Sequence, residues 1–341
     1  MSKIPVCKTT RPTVDLALID ADVLRYEIGA VQLDHPYIKG EKVPAPSSFV
    51  EGLLQDRIET ILDRTGAKDF LLFFTGPGNF RFDIAKQQPY KGNREDFEKP
   101  FHWKTVDRYL RTVYPSKIRE AFGNEADDEL GITQLRSVLA GDKDNTCIAS
   151  RDKDLRTVEG WHYSWACGED QPEKPLRYIT QLEGYRFFFQ QMLTGDNTDN
   201  IIGCGMKKEV MWGGKLMMRR KGVGKKAAEK ILADLDNQQA MYDAVREQYV
   251  VVFEDDADTV MLEQARLLFI GQTEKQQFKW HWIEVIEHGT CTEESKTLEG
   301  KGLEGSVDVL PEDRRCEGDS ESESRHSSEV CQSQCETTTQ P

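Results

Sequence analysis

The chain has 341 residues, of which 38% are hydrophobic, and a formal net charge of −14. Its longest apolar runs, such as residues 70–74, are much shorter than a membrane-spanning helix, and its eight cysteines form no C-x-x-C pair. These features exclude a membrane span, a zinc ribbon and a disulfide framework. We therefore expect a cytoplasmic protein without a signal peptide.

Predicted strands and helices alternate along the first half of the chain. Apolar runs at residues 14–19, 70–74 and 146–149 are predicted to be buried strands, and residues 49–63 and 126–139 have helical patterns. This alternation predicts an α/β fold in which helices flank a parallel sheet. Ligands bind beyond the carboxyl ends of such strands, and Asp20 and Asp152 lie near two of those ends.

The second half is predicted to be helical and to end in a tail. Residues 185–193 and 225–235 are predicted helices, and residues 288–341 carry no hydrophobic periodicity. From residue 289 onward the chain has thirteen acidic residues against five basic ones. We therefore predict an α/β domain at residues 12–184 with a basic, aromatic segment at about 80–114. A helical domain at 185–287 and a disordered acidic tail at 288–341 follow it.

Four short segments supply carboxylates, the oxygen ligands that bind hard divalent cations. They contain Asp20 and Asp22; Glu125, Asp127 and Asp128; Asp152 and Asp154; and Asp196 and Asp199. Taken singly, each segment is also typical of a helix cap or a solvated turn. If the sheet forms, they converge, and bound cations would relieve their mutual repulsion. Two Mg²⁺ ions roughly 3.5–4 Å apart suit phosphodiester hydrolysis.

A basic stretch of nine Lys and Arg against two Glu occupies residues 206–230, although the whole protein is acidic. It includes Gly222, Gly224, Lys225 and Lys226, and glycines followed by lysines at a helix start let backbone N–H groups approach a phosphate. The pattern also fits an ordinary helix start. It is not a P-loop, because G-x-x-x-x-G-K-[ST] is absent.

In their order along the chain, these motifs resemble the 5′→3′ exonuclease and flap endonuclease family. The resemblance is greatest to small phage exonucleases and the 5′-nuclease domains of bacterial DNA polymerases. It runs from about residue 14 to 235 and rests on Asp20, on Glu125-Ala126-Asp127-Asp128, on Asp152-x-Asp154, and on the segments 195–201 and 222–225. Asn79-Phe80-Arg81 and Pro89-Tyr90-Lys91-Gly92-Asn93-Arg94 resemble the start of the family's helical arch. The resemblance implies a PIN-like nuclease domain and a helix–three-turn–helix DNA-binding domain.

The resemblance also implies roles for individual residues. One metal would lie near Asp20, Glu125, Asp127 and Asp128, and the other near Asp152, Asp154, Asp196 and Asp199. Lys91 and Arg94 would contact the scissile phosphate, Tyr90 would stack on a base, and Arg81 would contact DNA. Gly222, Gly224, Lys225 and Lys226 would hold duplex backbone together with a K⁺ ion.

The implied cofactors are two Mg²⁺ ions, with Mn²⁺ as a substitute. The implied substrate is DNA with a 5′ end, a flap or an RNA primer. A replication protein is an implied partner, and a phage or bacterial source is implied, with the host cytoplasm as the location of a phage protein.

Two departures from the family leave alternatives open. An aspartate usual after the second strand is missing from residues 73–79, near Gly76, where Asp22 or Asp83 would have to compensate. An insertion at residues 206–220 would widen the DNA footprint. The rival hypotheses are a branched-DNA-binding protein with an impaired catalytic site and a PIN-type RNase. The tail is either a solubilising extension, or a competitor for the DNA groove or docking site for a replication partner.

Overall fold

The structure is a computed structural model that describes residues 13–94, 98–142, 145–212, 214–271 and 278–280. The predicted tail at 288–341 lies outside the described residues. The strands are β1 Leu16–Asp20, β2 Gln32–Asp34, β3 Lys42–Pro44, β4 Asp69–Thr75, β5 Ile118–Ala121, β6 Thr146–Ala149, β7 Gly160–Ser164, β8 Lys174–Ile179, β9 Gly205–Trp212 and β10 Lys215–Gly222. The α-helices are α1 Ala21–Glu27, α2 Ser47–Thr65, α3 Arg81–Ile84, α4 Trp103–Val113, α5 Ala126–Leu139, α6 Gln181–Thr194, α7 Lys225–Leu232, α8 Gln238–Phe253 and α9 Ala257–Leu268.

A six-stranded sheet has the order β5-β4-β1-β6-β7-β8, with every neighbouring pair parallel except β7 and β8. The three strands predicted from apolar runs form its centre, where Leu16 of β1 pairs with Asp69 of β4 and Thr146 of β6. These runs are continuously apolar because both faces of the sheet are covered. The predicted α/β fold with a parallel sheet is therefore confirmed.

Alternate residues of β1 enter different cores. Ala17 and Ile19 join a cluster with α2 and α4, whereas Leu18 joins a cluster with α5 on the other face. Within α4, Val106 and Leu110 are fully buried at helical spacing. The later part of the predicted basic segment at 80–114 therefore contains a helix that packs in the body of the protein.

A separate core holds the C-terminal helices together. It includes Phe188, Phe189 and Met192 of α6 and Tyr249 of α8. Trp280 stacks parallel to Phe189 with ring centroids 6.3 Å apart, in accordance with a packing role. The described residues belong to one compact unit, so the division at 184/185 stays a prediction. Among the described residues, no helix combines the length and apolar character needed to cross a bilayer.

The inserted segment forms an antiparallel hairpin, β9–β10, between α6 and α7. Its pairing runs from Gly205 with Gly222 at the base to Trp212 with Lys215 near the turn. Met211 and Leu216 are register partners, with 67% and 60% of their surface exposed. The hairpin thus carries an exposed apolar pair near its tip.

Candidate active site

A cleft of about 970 Å³ opens where β1, β4 and β6 end and α1 and α5 begin. The acidic side chains that line it are Asp20, Asp22, Glu125, Asp127, Asp152, Asp154 and Asp199. The basic ones are Arg25, Lys91, Arg94, Lys99, Arg151 and Lys153. The parallel sheet therefore gathers acids that are up to 179 residues apart in sequence, from Asp20 to Asp199, at one edge.

Three carboxylates at the centre of the cleft repel one another. Asp20 is buried at the end of β1, where it accepts hydrogen bonds from Val23 N at 3.1 Å and Ser150 Oγ at 2.8 Å. Burial, followed by repulsion from neighbouring carboxylates, raises the pKa of Asp20 to about 7. Burial and repulsion from Asp152 and Asp20 raise the pKa of Asp127 well above its ordinary value. Carboxyl groups are thus crowded at one place, where ionisation of Asp20 and Asp127 is disfavoured unless a counter-charge is present.

Lys153 links two further carboxylates. Its ammonium donates to Asp154 Oδ1 at 2.7 Å and also to Asp196 Oδ2. Burial and repulsion from Asp152 raise the pKa of Asp154 to about 7, although Lys153 opposes the rise. Burial also raises the pKa of Asp196, but Lys153 outweighs it and the net pKa is lowered. Asp196 is buried beneath the cleft, at the start of the 196–200 turn.

The segment 89–94 docks directly on the 196–200 turn. Lys91 N donates to Asp199 O at 2.9 Å, Asn93 Nδ2 donates to Asn197 O at 2.6 Å, and Asn200 Nδ2 donates to Pro89 O at 2.8 Å. Lys91 itself has a positive φ of 54°, an uncommon conformation for a residue other than glycine. The fold therefore brings together two predicted motifs that are about a hundred residues apart in sequence.

Cations of this segment pair with acids of the cleft. Lys91 Nζ forms an ion pair with Glu125, and Arg94 Nη2 lies 2.6 Å from Asp199 Oδ1. Burial pushes the pKa of Glu125 upward, but Lys91 and nearby Arg81 lower it below the ordinary value. The predicted phosphate-contacting pair, Lys91 and Arg94, thus lies beside predicted metal ligands.

Tyr90 is in a different environment from the one expected of a base-stacking residue. Only 4% of its surface is exposed, and its hydroxyl lies 2.7 Å from Glu125 Oε2 and 2.9 Å from Asp199 Oδ2. Burial and Glu125 raise its pKa, so the hydroxyl stays protonated and can donate its one proton to either carboxylate. The stacking role stays a prediction, and the enclosed ring instead favours a role in which the hydroxyl positions the two acids.

Arg81 and Asp128 form a buried structural pair. Arg81 Nη1 and Nη2 lie 2.6 and 2.9 Å from the two Asp128 oxygens, and Arg81 also donates to Leu267 O and Phe269 O. Asp128 has no exposed surface, and Arg81 has 2%. Arg81 presents almost no surface to DNA, and both oxygens of Asp128 accept hydrogen bonds from Arg81. These contacts favour a structural role for both residues, while the DNA-binding role of Arg81 and the metal-ligand role of Asp128 stay predictions.

Within residues 73–79, where the acid is missing, Thr75 faces the cleft and Gly76 does not. Thr75 lines the cleft, and its Oγ1 accepts from Ala126 N at 2.9 Å. A Cβ on Gly76 would lie 2.4 Å from Ala121 O, so no side chain fits there. Asp22 lines the cleft and accepts from Thr75 N at 3.1 Å, whereas Asp83 is exposed outside it. Of the two compensating candidates, only Asp22 lies at the site.

An aromatic and cationic wall of the cleft includes Phe82, Lys99 and Trp103 of the predicted basic, aromatic segment, whereas the contribution of Arg25 was not predicted. Phe82 is 58% exposed, and its ring lies edge-on to Tyr90 at 5.5 Å. Across the cleft, Trp103 has the Arg25 guanidinium 4.2 Å and the Lys99 ammonium 5.1 Å from its ring centroid. Arg25 follows Asp22 by one helical turn, a spacing that would have indicated that α1 contributes a face to the site.

The predicted phosphate loop lies outside this cleft. Gly224 is the N-cap of α7, where Lys225 and Lys226 are exposed, and Gly222 is the last residue of β10. A Cβ on Gly224 would meet no atom within 4 Å, so internal packing does not require a glycine here. The DNA-binding role of these four residues stays a prediction.

The carboxylate groups that line the cleft have the donor atoms that a divalent metal ion requires. Asp20, Asp127 and Asp152 offer only oxygen ligands, as Mg²⁺ prefers, and their repulsion is of the kind that a cation relieves. The side chains as they stand are not arranged as ligands: within the described ranges, no group of three or more His, Cys, Asp or Glu is placed to hold a metal ion. The residues therefore fit a divalent cation in type and charge, with rearrangement of the side chains on binding.

Solved structures similar to this chain come from bacteriophage T5. One is a flap endonuclease in a pseudo-enzyme–product complex with DNA and metal ions, at 15% identity and TM-score 0.41, covering 74% of this chain and 99% of that chain. Another is a 5′-exonuclease with bound zinc ions, at 15% identity and TM-score 0.43, covering 75% and 100%. These proteins are of the family that the sequence motifs resemble. No protein-family model matches the sequence, and no curated protein matches it.

Proposed function

We propose that this protein is a metal-dependent nuclease that degrades DNA in the 5′→3′ direction and removes flaps or RNA primers. The observation that carries the proposal is the convergence of Asp20, Asp127 and Asp152 in one cleft beside Lys91 and Arg94. Concentrated carboxylates beside cations are suited to binding both a divalent metal and a phosphate.

Asp20, Asp127 and Asp152 would hold one divalent ion, Mg²⁺ or Mn²⁺. Asp154, Asp196 and Asp199 would serve a second, directly or through water. Bound ions of this kind supply Lewis acidity and a water of lowered pKa. Asp20 is held ready for this role by its hydrogen bonds from Val23 N and Ser150 Oγ, which fix the direction of the carboxylate.

Lys91 and Arg94 would bind and orient the phosphate. Both pair with carboxylates, so an arriving phosphate competes with Glu125 and Asp199 for them. Their positive charge then stabilises the charge that develops on the phosphoryl oxygens. Tyr90 keeps Glu125 and Asp199 in position during this exchange, because its hydroxyl contacts both.

The substrate would be DNA with an accessible 5′ end. Phe82 offers an exposed ring on which a base could stack, and Lys99, which is also exposed and lines the cleft, could pair with a phosphate. The duplex would lie on Gly222, Gly224, Lys225 and Lys226, with K⁺ at that loop, and the hairpin β9–β10 would widen the footprint. A role in phage or bacterial replication, with a replication protein as partner, belongs to the same proposal.

The test is digestion of 5′-labelled and 3′-labelled duplex, flap and RNA-primed DNA with Mg²⁺, Mn²⁺ or EDTA. We expect metal-dependent release from the 5′ side by the wild type and none by an Asp127→Asn, Asp152→Asn double variant. Asp83→Asn is the matched control, since it removes an exposed acid outside the cleft. Undiminished cleavage by the double variant would contradict the mechanism.

A second candidate is a branched-DNA-binding protein that does not cleave. Thr75 favours this candidate, because its hydroxyl lines the cleft at a position where a carboxylate would add a metal ligand. This candidate predicts tight binding to flaps without turnover in either metal. A PIN-type RNase would instead show preference for RNA when matched RNA and DNA substrates compete.

A further inference from the structure

Beyond the cleft, a basic groove runs along the sheet edge formed by β7 and β8. We propose that this groove, defined by Arg156, Lys174 and Arg177, binds the backbone of a single strand of nucleic acid that extends from the cleft. The inference rests on the proposed function for the identity of the substrate. It concerns a surface outside the residues to which that function is assigned.

The groove is continuous with the cleft. Arg151, Asp152 and Lys153, the loop after β6, line the cleft on one side and a cavity of about 350 Å³ on the other. Arg156 and Arg177 line both that cavity and a further depression of about 150 Å³ beside α6. A strand that leaves the acids of the cleft would therefore cross one loop before it meets these guanidinium groups.

The groove carries an excess of positive charge. Its basic residues are Arg156, Lys174, Arg177 and Arg186, with Arg151 and Lys153 at the loop, and its acidic residues are Asp152 and Glu183. Lys153 is already paired with Asp154 and Asp196, and Arg151 lies 3.9 Å from Glu27, so the excess rests on the other four cations. Arg177 is about half exposed, and its Nη1 lies 3.8 Å from Glu183 Oε1, so it is held only loosely. This charge stands out because the whole chain has a net charge of −14.

Neighbouring groups respond to this positive charge. Burial and the proximity of Arg177 lower the pKa of Arg156. Burial, reinforced by Arg177 and Arg156, also lowers the pKa of His162, which lines the same cavity, to about 4. Arg156 and Arg177 are thus close enough to repel each other, and Glu183 offsets this repulsion only in part, as expected of a surface that can bind an external anion.

The dimensions and one aromatic contact favour a single strand. Cavities of about 350 and 150 Å³ accept a nucleotide backbone rather than the width of a duplex. The Arg156 guanidinium lies over the Phe187 ring at 4.5 Å, which holds its planar group in a fixed orientation at the groove. Positive grooves interleaved with aromatic rings are typical of single-strand binding.

The test measures binding by the full chain in EDTA, where metal-dependent cleavage is suppressed. Fluorescence anisotropy with labelled oligothymidines of about 20 and about 6 nucleotides compares strands that do and do not extend beyond the cleft. The variant is Arg156→Gln, Arg177→Gln, in which both side chains are exposed, so folding should be retained and is checked by Tm. The control is Arg108→Gln, Arg119→Gln, an equal charge change at two exposed residues, with Arg119 on β5 at the opposite edge of the sheet.

We expect the variant to bind the longer strand about tenfold more weakly. The slope of log K against log[salt] should also become shallower by about 1.4, because each of the two lost phosphate contacts removes about 0.7 from the slope for a single strand. The shorter strand and the control variant should be unaffected. Equal affinities of wild type and variant for the longer strand, an equal loss in the control, or an equal loss for the shorter strand would each overturn the proposed role of the groove.

Digestion of DNA by the wild type with Mg²⁺ or Mn²⁺ separates this result from the proposed function. Cleavage without any effect of the variant on binding overturns the groove and leaves the nuclease. The expected loss of binding without any cleavage by the wild type supports the groove and overturns the nuclease.

Discussion

Asp128 and Asp127 are adjacent in the sequence, yet their neutralisation should have opposite consequences. Asp128 has no exposed surface, and each of its two carboxylate oxygens accepts two hydrogen bonds. Oδ1 accepts from Arg81 Nη2 at 2.9 Å and from Gly271 N at 3.3 Å. Oδ2 accepts from Arg81 Nη1 at 2.6 Å and from Glu125 N at 3.2 Å. In Asp128→Asn, one of these oxygens is replaced by an NH₂ group, which cannot accept a hydrogen bond. Whichever oxygen is replaced, the NH₂ group then faces two donors. The buried Arg81 charge also loses its counterion.

Loss of one partner of a buried pair costs about 3–5 kcal/mol. For a domain of this size, that corresponds to a Tm lower by about 6–20 °C. Asp128→Asn should nevertheless cleave DNA at about the wild-type rate at 15 °C, well below its Tm, because Asp128 does not line the cleft.

Asp127→Asn should behave in the opposite way. Burial and neighbouring acids disfavour the charge of Asp127, so its removal should maintain or increase the free energy of unfolding in EDTA. The same change should abolish metal-dependent cleavage. Urea denaturation and gel-based digestion of both variants provide the assay. A stable but inactive Asp128→Asn protein would refute the reasoning, since it would return Asp128 to the metal site.

Three further predictions concern other parts of the molecule. Thr75→Asp should tighten Mn²⁺ binding measured by calorimetry, whereas Gly76→Asp should lower Tm without that gain, because its Cβ would meet backbone at 2.4 Å. His162 has a folded pKa of about 4, so between about pH 6.5 and 4 only the unfolded state binds its proton. The free energy of unfolding should therefore fall by up to about 3 kcal/mol over this range. Urea titrations of wild type and His162→Gln at both pH values measure the difference. Phe82→Ala should weaken binding of a single-stranded 5′ end in EDTA by about 1–3 kcal/mol and leave Tm unchanged, because its ring is 58% exposed.

Each of these predictions has a clear contrary outcome. Equal Mn²⁺ affinity in wild type and Thr75→Asp would show that the side chain at this position does not reach the ions. Parallel pH profiles for wild type and His162→Gln would remove the histidine as the source of acid sensitivity. Unchanged binding by Phe82→Ala would leave the cleft without a stacking surface at this ring.

The elements that the sequence predicts well are those governed by local pattern and burial. The run 146–149 forms β6 with those bounds, because a continuous apolar run suits a strand that is covered on both faces. Residues 126–139 form α5, because their apolar residues recur at helical spacing. The gathering of Asp20, Asp127 and Asp152 in one cleft also follows, since parallel strands bring their carboxyl ends to one edge.

Sequence patterns do not reveal where a charged residue is satisfied by distant backbone. Arg81 looks like an exposed DNA contact because it follows a family motif, yet it donates to Leu267 O and Phe269 O at the end of α9. No local pattern encodes that contact. The enclosure of Tyr90 is equally absent from any local pattern, since it depends on the 196–200 turn packing over the segment 89–94.

The hairpin β9–β10 makes the region between α6 and α7 modular. Gly205 pairs with Gly222, and Val223 N donates to Cys204 O at 3.4 Å, so the chain enters and leaves the hairpin at neighbouring points. Adjacent strands lie about 4.7–4.9 Å apart, a gap that a tight turn can bridge. Residues 206–221 can therefore be lengthened, exchanged or excised as a cassette, while Asp196 and the start of α7 keep their positions.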